Sequence, residues 1–195
     1  MHPFCFLRGF FFELGLKTST VKFDVIVNSL GTGPRIKAFG KICSNIVKKA
    51  GTGLKDEILS WEDEAEIGHI FTSKGYKLPT KHIIHVVTPF FKHDPDLYAL
   101  EFVYKKILLV AFENGWTKIG LPLLGTGSNG YPHSYVIDMA TKLLSAFAKV
   151  YKNMDITLCI PVVSKEDYEQ SFDSEKLKKS IEKFEKEFFL PEICI

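Results

Sequence analysis

The sequence of 195 residues lacks the features that mark metalloproteins, membrane proteins and nucleic-acid-binding proteins. Its four cysteines, Cys5, Cys43, Cys159 and Cys194, are widely separated, so we expect no metal site and free thiols, as in a cytoplasmic or nuclear protein. No stretch reaches the roughly 18 consecutive apolar residues that a transmembrane helix needs, so we expect no membrane span. The net charge of +2 is too small to indicate a nucleic-acid partner.

The chain also lacks internal repeats, low-complexity tracts and a linker, which favours one domain and, we expect, a monomer. We expect this domain to span residues 15–172 and to follow an apolar extension at 1–14. The phenylalanines of the extension predict one or two sheet strands, and a signal sequence or an interaction segment is the alternative. A charged helix within residues 173–195 is expected to pack on the same domain.

Apolar patterns typical of strands alternate along the chain with patterns typical of helices. Strands are predicted at residues 23–27, 68–73, 82–87, 119–124 and 156–163. Helices are predicted at residues 40–50, 96–112, 134–150 and 174–189, the second with Asp96 as its N-cap. This alternation predicts an α/β layered fold with a mostly parallel or mixed central sheet. Ligands of such sheets bind at the carboxyl ends of the strands.

The most informative segment is residues 120–132, Gly-Leu-Pro-Leu-Leu-Gly-Thr-Gly-Ser-Asn-Gly-Tyr-Pro, and we name its residues 125–130 the glycine loop. Gly125, Gly127 and Gly130 lie between a predicted strand and a predicted helix. Glycines bring backbone N–H groups close to a ligand, and the helix N-terminus adds partial positive charge, so this junction can hold a phosphate. The loop lies too late in the chain for the usual dinucleotide-binding fingerprint. A tight connection without a ligand is the alternative.

Four segments lie in an order that matches a known family. They are Asp-Val-Ile-Val-Asn at 24–28, the glycine-led helix at 40–51, the segment with Leu-Pro-Thr-Lys-His-Ile-Ile-His at 75–86, and residues 120–132. Together they resemble the macro domain, a family that binds ADP-ribose and its derivatives. The resemblance covers about residues 15–164, and the glycine loop is most similar to macro domains of macro-histones and of ADP-ribosyltransferases.

The resemblance implies a three-layer α/β/α fold with a mixed central sheet, and ADP-ribose or an ADP-ribosylated protein as the partner, without a cofactor. The glycine loop would wrap the diphosphate, residues 40–44 would approach it from the other side, and Asn28 would lie near the distal ribose. The ligand-binding residues implied in this way are Asn28, Ser29, Gly31, Gly40, Lys41, Ile42, Cys43, Ser44, Gly125, Thr126, Gly127, Ser128, Asn129, Gly130 and Tyr131.

The sequence departs from the hydrolytic members of the family at several positions. The second asparagine of their first loop is replaced here by Gly31, and the aspartate that some of them use to activate water is replaced by Cys43. A packing role for Cys43 is favoured over a nucleophilic one. No carboxylate stands at Leu16 to hold the adenine, and Asn129 replaces an aromatic residue that often covers the distal ribose.

These departures favour a binding module with no catalytic residue. A hydrolase of ADP-ribosyl or O-acetyl-ADP-ribose linkages is the second hypothesis. A divergent macro fold that has lost nucleotide binding and serves as an interaction domain is the third. His85 lies in an apolar strand pattern, which favours a core histidine with satisfied hydrogen bonds over a catalytic base. His133 follows the glycine loop, and we expect it to face solvent, with contact to a ligand as the alternative.

Overall fold

The computed structural model describes residues 4–8, 22–94 and 97–160 of the chain. Within these ranges six strands form one sheet: β1 (Phe4–Arg8), β2 (Val25–Leu30), β3 (Ile70–Lys74), β4 (His82–Val87), β5 (Lys118–Pro122) and β6 (Asp155–Ile160). Their order across the sheet is β1-β6-β5-β2-β4-β3. Neighbouring strands are parallel except β3 and β4, which are antiparallel. The predicted mixed sheet is therefore confirmed.

Helices cover both faces of the sheet. The α-helices of the described residues are α1 (Lys41–Ala50), α2 (Thr52–Ser60), α3 (Tyr98–Glu113) and α4 (His133–Val150). Side chains alternate along β2, so Val25 and Val27 pack with α3 and α4, whereas Ile26 and Leu30 pack with α1 and α2. The result is the three-layer α/β/α arrangement that the sequence predicted.

The structure adds one α-helix to the predicted elements, and it gives α3 a capping side chain that was not predicted. Helix α2 was not predicted, because only Leu54 and Ile58 of its nine residues are buried and its first turn contains Gly53. The expected capping residue of α3, Asp96, lies outside the described residues. Among the described residues, the Asp94 carboxylate accepts hydrogen bonds from the N–H groups of Ala99 and Leu100 at 3.0 and 2.9 Å, as a capping side chain does.

Both chain ends lie largely outside the described residues. The strand β1 falls within the segment 1–14, for which strands were predicted, and it pairs with β6. The helix predicted at 174–189 lies outside the described residues, and the domain limits at 15–172 and 173–195 stay predictions. None of the helices that the structure describes is long and apolar enough to cross a membrane.

The sheet brings three loops together at one edge. Strands β5, β2 and β4 are adjacent and parallel, so their carboxyl ends meet at the same edge of the sheet. The loop after β2 contains a short 3-10 helix (Gly33–Lys37) and leads into α1. The loop after β4 contains another (Phe91–His93), and the loop after β5 contains the glycine loop and leads into α4.

Candidate functional site

A cavity of about 850 Å³ opens between these three loops, at the edge where the sequence predicted a ligand. This volume is within the range of small-molecule binding sites. Eleven of the fifteen predicted residues line it: Ser29, Gly31, residues 40–43 and residues 125–129. Sequence reasoning missed seven further lining residues: Leu30, Arg35, Ala38, Phe39, Phe90, Leu123 and His133.

Four predicted residues, Asn28, Ser44, Gly130 and Tyr131, are not on the cavity wall. Asn28 is fully buried within β2, two residues before the strand ends, and its amide donates to the wall residue Cys43. The Ser44 hydroxyl donates to the Phe39 carbonyl oxygen, and the Gly130 N–H donates to the Gly127 carbonyl oxygen. Tyr131 is a core residue, because its ring is buried and its hydroxyl donates to the Asp94 carboxylate at 2.7 Å. Its predicted role as a ligand contact is therefore corrected.

The glycine loop offers a row of unused backbone donors. Among the described residues, no hydrogen bond occupies the N–H group of any residue from Gly125 to Asn129. The loop is closed beneath them by bonds from the Gly130 N–H to the Gly127 carbonyl and from the Tyr131 N–H to the Gly125 carbonyl. Consecutive N–H groups held in a tight loop form a concave site for an anion.

Gly125 is required by the packing of this loop. Its φ angle is +78°, and a Cβ at this position would lie 2.7 Å from Cδ2 of Tyr131. Gly127 differs, because a Cβ there would meet nothing within 4 Å. Gly125 therefore lets the loop pack against the Tyr131 ring. Gly127 adds no side chain to the open cavity that it lines.

The electrostatics of the cavity wall favour an anion. Helix α1 begins at the wall, with Gly40 as its N-cap and Lys41 as its first residue, and α4 begins there with His133. Both helix N-termini carry partial positive charge. Arg35 and Lys41 add two cations, and the lining residues include no aspartate or glutamate. Burial lowers the pKa of the wall residue His133, which favours a neutral imidazole there. His133 was expected to face solvent, with contact to a ligand as the alternative, and its position on the cavity wall favours the alternative.

Cys43 is the residue that stands where some family members have an aspartate. Its side chain is buried in the core below the cavity, and burial raises the pKa of the thiol to about 11. A hydrogen bond of 3.3 Å from the Asn28 amide to Cys43 Sγ opposes this rise only partly. The thiol is therefore neutral near pH 7 and is a poor base or nucleophile there.

His85 is a buried histidine with both ring nitrogens in contact with hydrogen-bonding partners, as the sequence predicted. Nδ1 lies 3.0 Å from the Asn28 amide nitrogen, and Nε2 lies 2.8 Å from the Ser73 hydroxyl. Burial lowers the pKa of the ring to about 3, so it is neutral near pH 7. Within the described residues, no three His, Cys, Asp or Glu side chains are placed to hold a metal ion.

Comparisons with known proteins agree with this geometry. The family model described as Macro domain matches residues 27–140, and the chain therefore belongs to the macro domain family. A Klebsiella pneumoniae protein named O-acetyl-ADP-ribose deacetylase is 28% identical over 147 residues, which cover 73% of this chain and 83% of the relative.

Solved structures of the same fold contain nucleotide ligands. The Oceanobacillus iheyensis macrodomain with ADP is 26% identical to this chain and has a TM-score of 0.63. The match covers 84% of this chain and 87% of the macrodomain chain. A mutant of that macrodomain with ADPR has 26% identity and a TM-score of 0.62, over 85% and 90% of the two chains.

Proposed function

We propose that this macro domain binds ADP-ribose, free or attached to a protein, in the cavity at the carboxyl edge of its sheet. The observation that carries the proposal is the row of unused backbone N–H groups from Gly125 to Asn129. The residues that line the cavity include no carboxylate that would repel a phosphate. A diphosphate is the part of ADP-ribose that needs such donors. The two cations Arg35 and Lys41 and the N-terminus of α1 add favourable electrostatics on the opposite side.

The ligand in this proposal lies across the two glycine-containing loops. The glycine loop binds the diphosphate from one side and the start of α1 approaches it from the other. The distal ribose, the one beyond the diphosphate, lies towards the loop that follows Asn28. The Oceanobacillus iheyensis structures support this choice of ligand, because one contains ADP and the other contains ADPR (ADP-ribose).

Hydrolysis of an ADP-ribose derivative is the second candidate function. The relatives named O-acetyl-ADP-ribose deacetylase favour it. Hydrolysis needs a group that orients or deprotonates water. The cavity offers Gly31 and a neutral buried thiol at Cys43, at the positions where the family resemblance implies an asparagine in many hydrolytic members and an aspartate in some of them. We therefore propose binding as the main activity.

Ligand-dependent thermal stability tests the proposal. A ligand that binds only the folded protein raises the melting temperature as its concentration rises. ADP-ribose should do so more strongly than AMP, because the glycine loop needs two linked phosphates to fill it. No shift from ADP-ribose would favour the third hypothesis, a macro fold without nucleotide binding. Equal shifts from ADP-ribose and AMP would contradict the diphosphate assignment.

A further inference from the structure

Strand β3 lies at one edge of the sheet and leaves part of its backbone unpaired. The Val87 N–H donates to the His69 carbonyl oxygen, and backbone groups alternate in direction along a strand, so the odd-numbered residues of β3 face β4. The backbone N–H and carbonyl groups of Ile70, Thr72 and Lys74 therefore point away from the sheet. Within the described residues, none of these three forms a backbone hydrogen bond with a further strand. A strand with such an open edge can pair with another chain.

Charges of opposite sign lie at the two ends of β3. The exposed acidic residues Asp63, Glu64 and Glu66 precede the strand, and the exposed Lys74 ends it. A turn closed by the hydrogen bond from the His69 N–H to the Glu66 carbonyl oxygen keeps Glu66 near the start of the strand. Neither Glu66 nor Lys74 forms an ion pair within the part of the chain that the structure describes. The edge therefore has an acidic end and a basic end, and both charges are available to a partner.

Exposed apolar side chains lie beside the acidic end of the edge. Ile67 is 49% exposed and Phe102 of α3 is 58% exposed. Lys106 links the two regions, because its ammonium group donates to the Gly68 carbonyl oxygen at 2.6 Å and lies 5.7 Å from the centre of the Phe102 ring. Together with the open edge, these side chains offer apolar surface that a neighbouring chain would cover.

We propose that two copies of this chain pair through β3, antiparallel and with the two-fold axis at Thr72, so that their sheets become one. In this register Thr72 faces the partner's Thr72, and Ile70 faces the partner's Lys74. Each pair joins residues whose unpaired backbone groups point outwards, as the hydrogen-bonded pairs of an antiparallel ladder require. This dimer replaces the monomer that we expected from the sequence.

A second copy fits this edge because the edge is complementary to itself. Antiparallel pairing places the basic end of each strand beside the acidic end of the other, so Lys74 meets the partner's Glu66. A lysine on an edge strand usually prevents pairing, and here the acidic turn of the second copy neutralises it. No residue of β3 lines the cavity, so the interface does not depend on the proposed function.

Sedimentation velocity of the full chain over a wide concentration range tests the pairing. The parent should shift, as its concentration rises, from a monomer of 22.1 kDa towards twice that mass. Lys74→Glu brings like charges together, so it should raise the dissociation constant of the dimer more than tenfold, a loss of over about 1.4 kcal/mol. Lys152→Glu is the matched control, because it makes the same charge change in the exposed turn between α4 and β6, and it should pair as the parent does.

Two further variants test the register. Lys74→Glu combined with Glu66→Lys reverses both charges and should restore the dissociation constant of the parent. Thr72→Pro removes the N–H group at the two-fold axis and should stay monomeric. A single subunit should tolerate this proline, because the Thr72 N–H points away from the sheet. Circular dichroism should show that each variant keeps the fold of the parent.

The outcomes decide between this interface and others. A parent that stays monomeric at every concentration overturns the proposal. A dimer that persists in Lys74→Glu uses another surface and overturns it as well, even if Thr72→Pro does not fold. If the variant with both charges reversed pairs as weakly as Lys74→Glu alone, the antiparallel register is wrong.

Discussion

Asn28 and His85 lie opposite each other on β2 and β4, and Nδ2 of the asparagine is 3.0 Å from Nδ1 of the histidine. The proton positions in this pair follow from the hydrogen bonds of Ser73, whose hydroxyl group contacts the other ring nitrogen of His85. Ser73 donates its hydroxyl hydrogen to the Lys74 carbonyl oxygen, so it must accept from His85 Nε2. His85 is therefore protonated at Nε2, and its Nδ1 accepts the hydrogen bond from Asn28.

This buried neutral ring makes the protein sensitive to acid. Burial lowers the pKa of His85 from 6.5 to about 3, so the unfolded chain binds a proton in this range that the folded chain does not. The stability that follows is present above pH 6.5 and is lost as the pH falls towards 3. Urea denaturation between pH 6.5 and about 3 measures this loss. For each pH unit of acidification, the free energy of unfolding of the parent should fall by about 1.4 kcal/mol more than that of His85→Asn does. Identical pH slopes for the two proteins would contradict the buried neutral state.

Cys43 should not support catalysis. Its pKa of about 11, raised by burial, leaves almost no thiolate near neutral pH. The parent should therefore release acetate from O-acetyl-ADP-ribose, or ADP-ribose from a modified carboxylate, no faster than Gly127→Glu does. Cys43→Ala should leave the rate unchanged. Rapid turnover that Cys43→Ala abolishes would favour the hydrolase instead, and rapid turnover that survives it would require another catalytic group.

Gly31 should not accept the asparagine that the family resemblance implies at this position in many hydrolytic members. A Cβ on Gly31 would lie 2.6 Å from the Arg35 carbonyl oxygen and 3.1 Å from the Arg35 Cβ. Gly31→Asn should therefore lower the free energy of unfolding by about 1–3 kcal/mol, the usual cost of forcing atoms into filled space. It should not create hydrolytic activity. Denaturant unfolding and the acetate-release assay check the two parts, and a stable, active variant would contradict both.

The fold could be predicted from the sequence because its pattern is strong where its elements are buried. The range 82–87 was predicted as a strand, and β4 spans His82–Val87, five of whose six residues are buried. Helix α2 could not be predicted, since two buried residues in nine give too little periodicity. Its neighbouring glycines and acidic residues are typical of a loop.

The site could be predicted only where its residues are contiguous in sequence. The glycine loop and the start of α1 carry local patterns, and both line the cavity. Arg35 and Phe90 carry none, because their contact joins residues from two different loops. Tyr131 follows the glycine loop in sequence, yet its side chain turns into the core to contact Asp94. A sequence alone does not indicate which way such a side chain points.

Calorimetry with ADP-ribose on a matched pair of variants tests the central claim most directly. Gly127→Glu adds a carboxylate to the loop that carries the unused N–H groups, at a cavity-lining position where a Cβ meets nothing within 4 Å. Asn153→Glu adds the same charge at an exposed position in the turn between α4 and β6, at the opposite edge of the sheet. The parent and Asn153→Glu should bind ADP-ribose with equal affinity, and Gly127→Glu should bind it more than tenfold more weakly, a loss of over about 1.4 kcal/mol. Equal affinity of Gly127→Glu and the parent would show that the glycine loop is not the binding site.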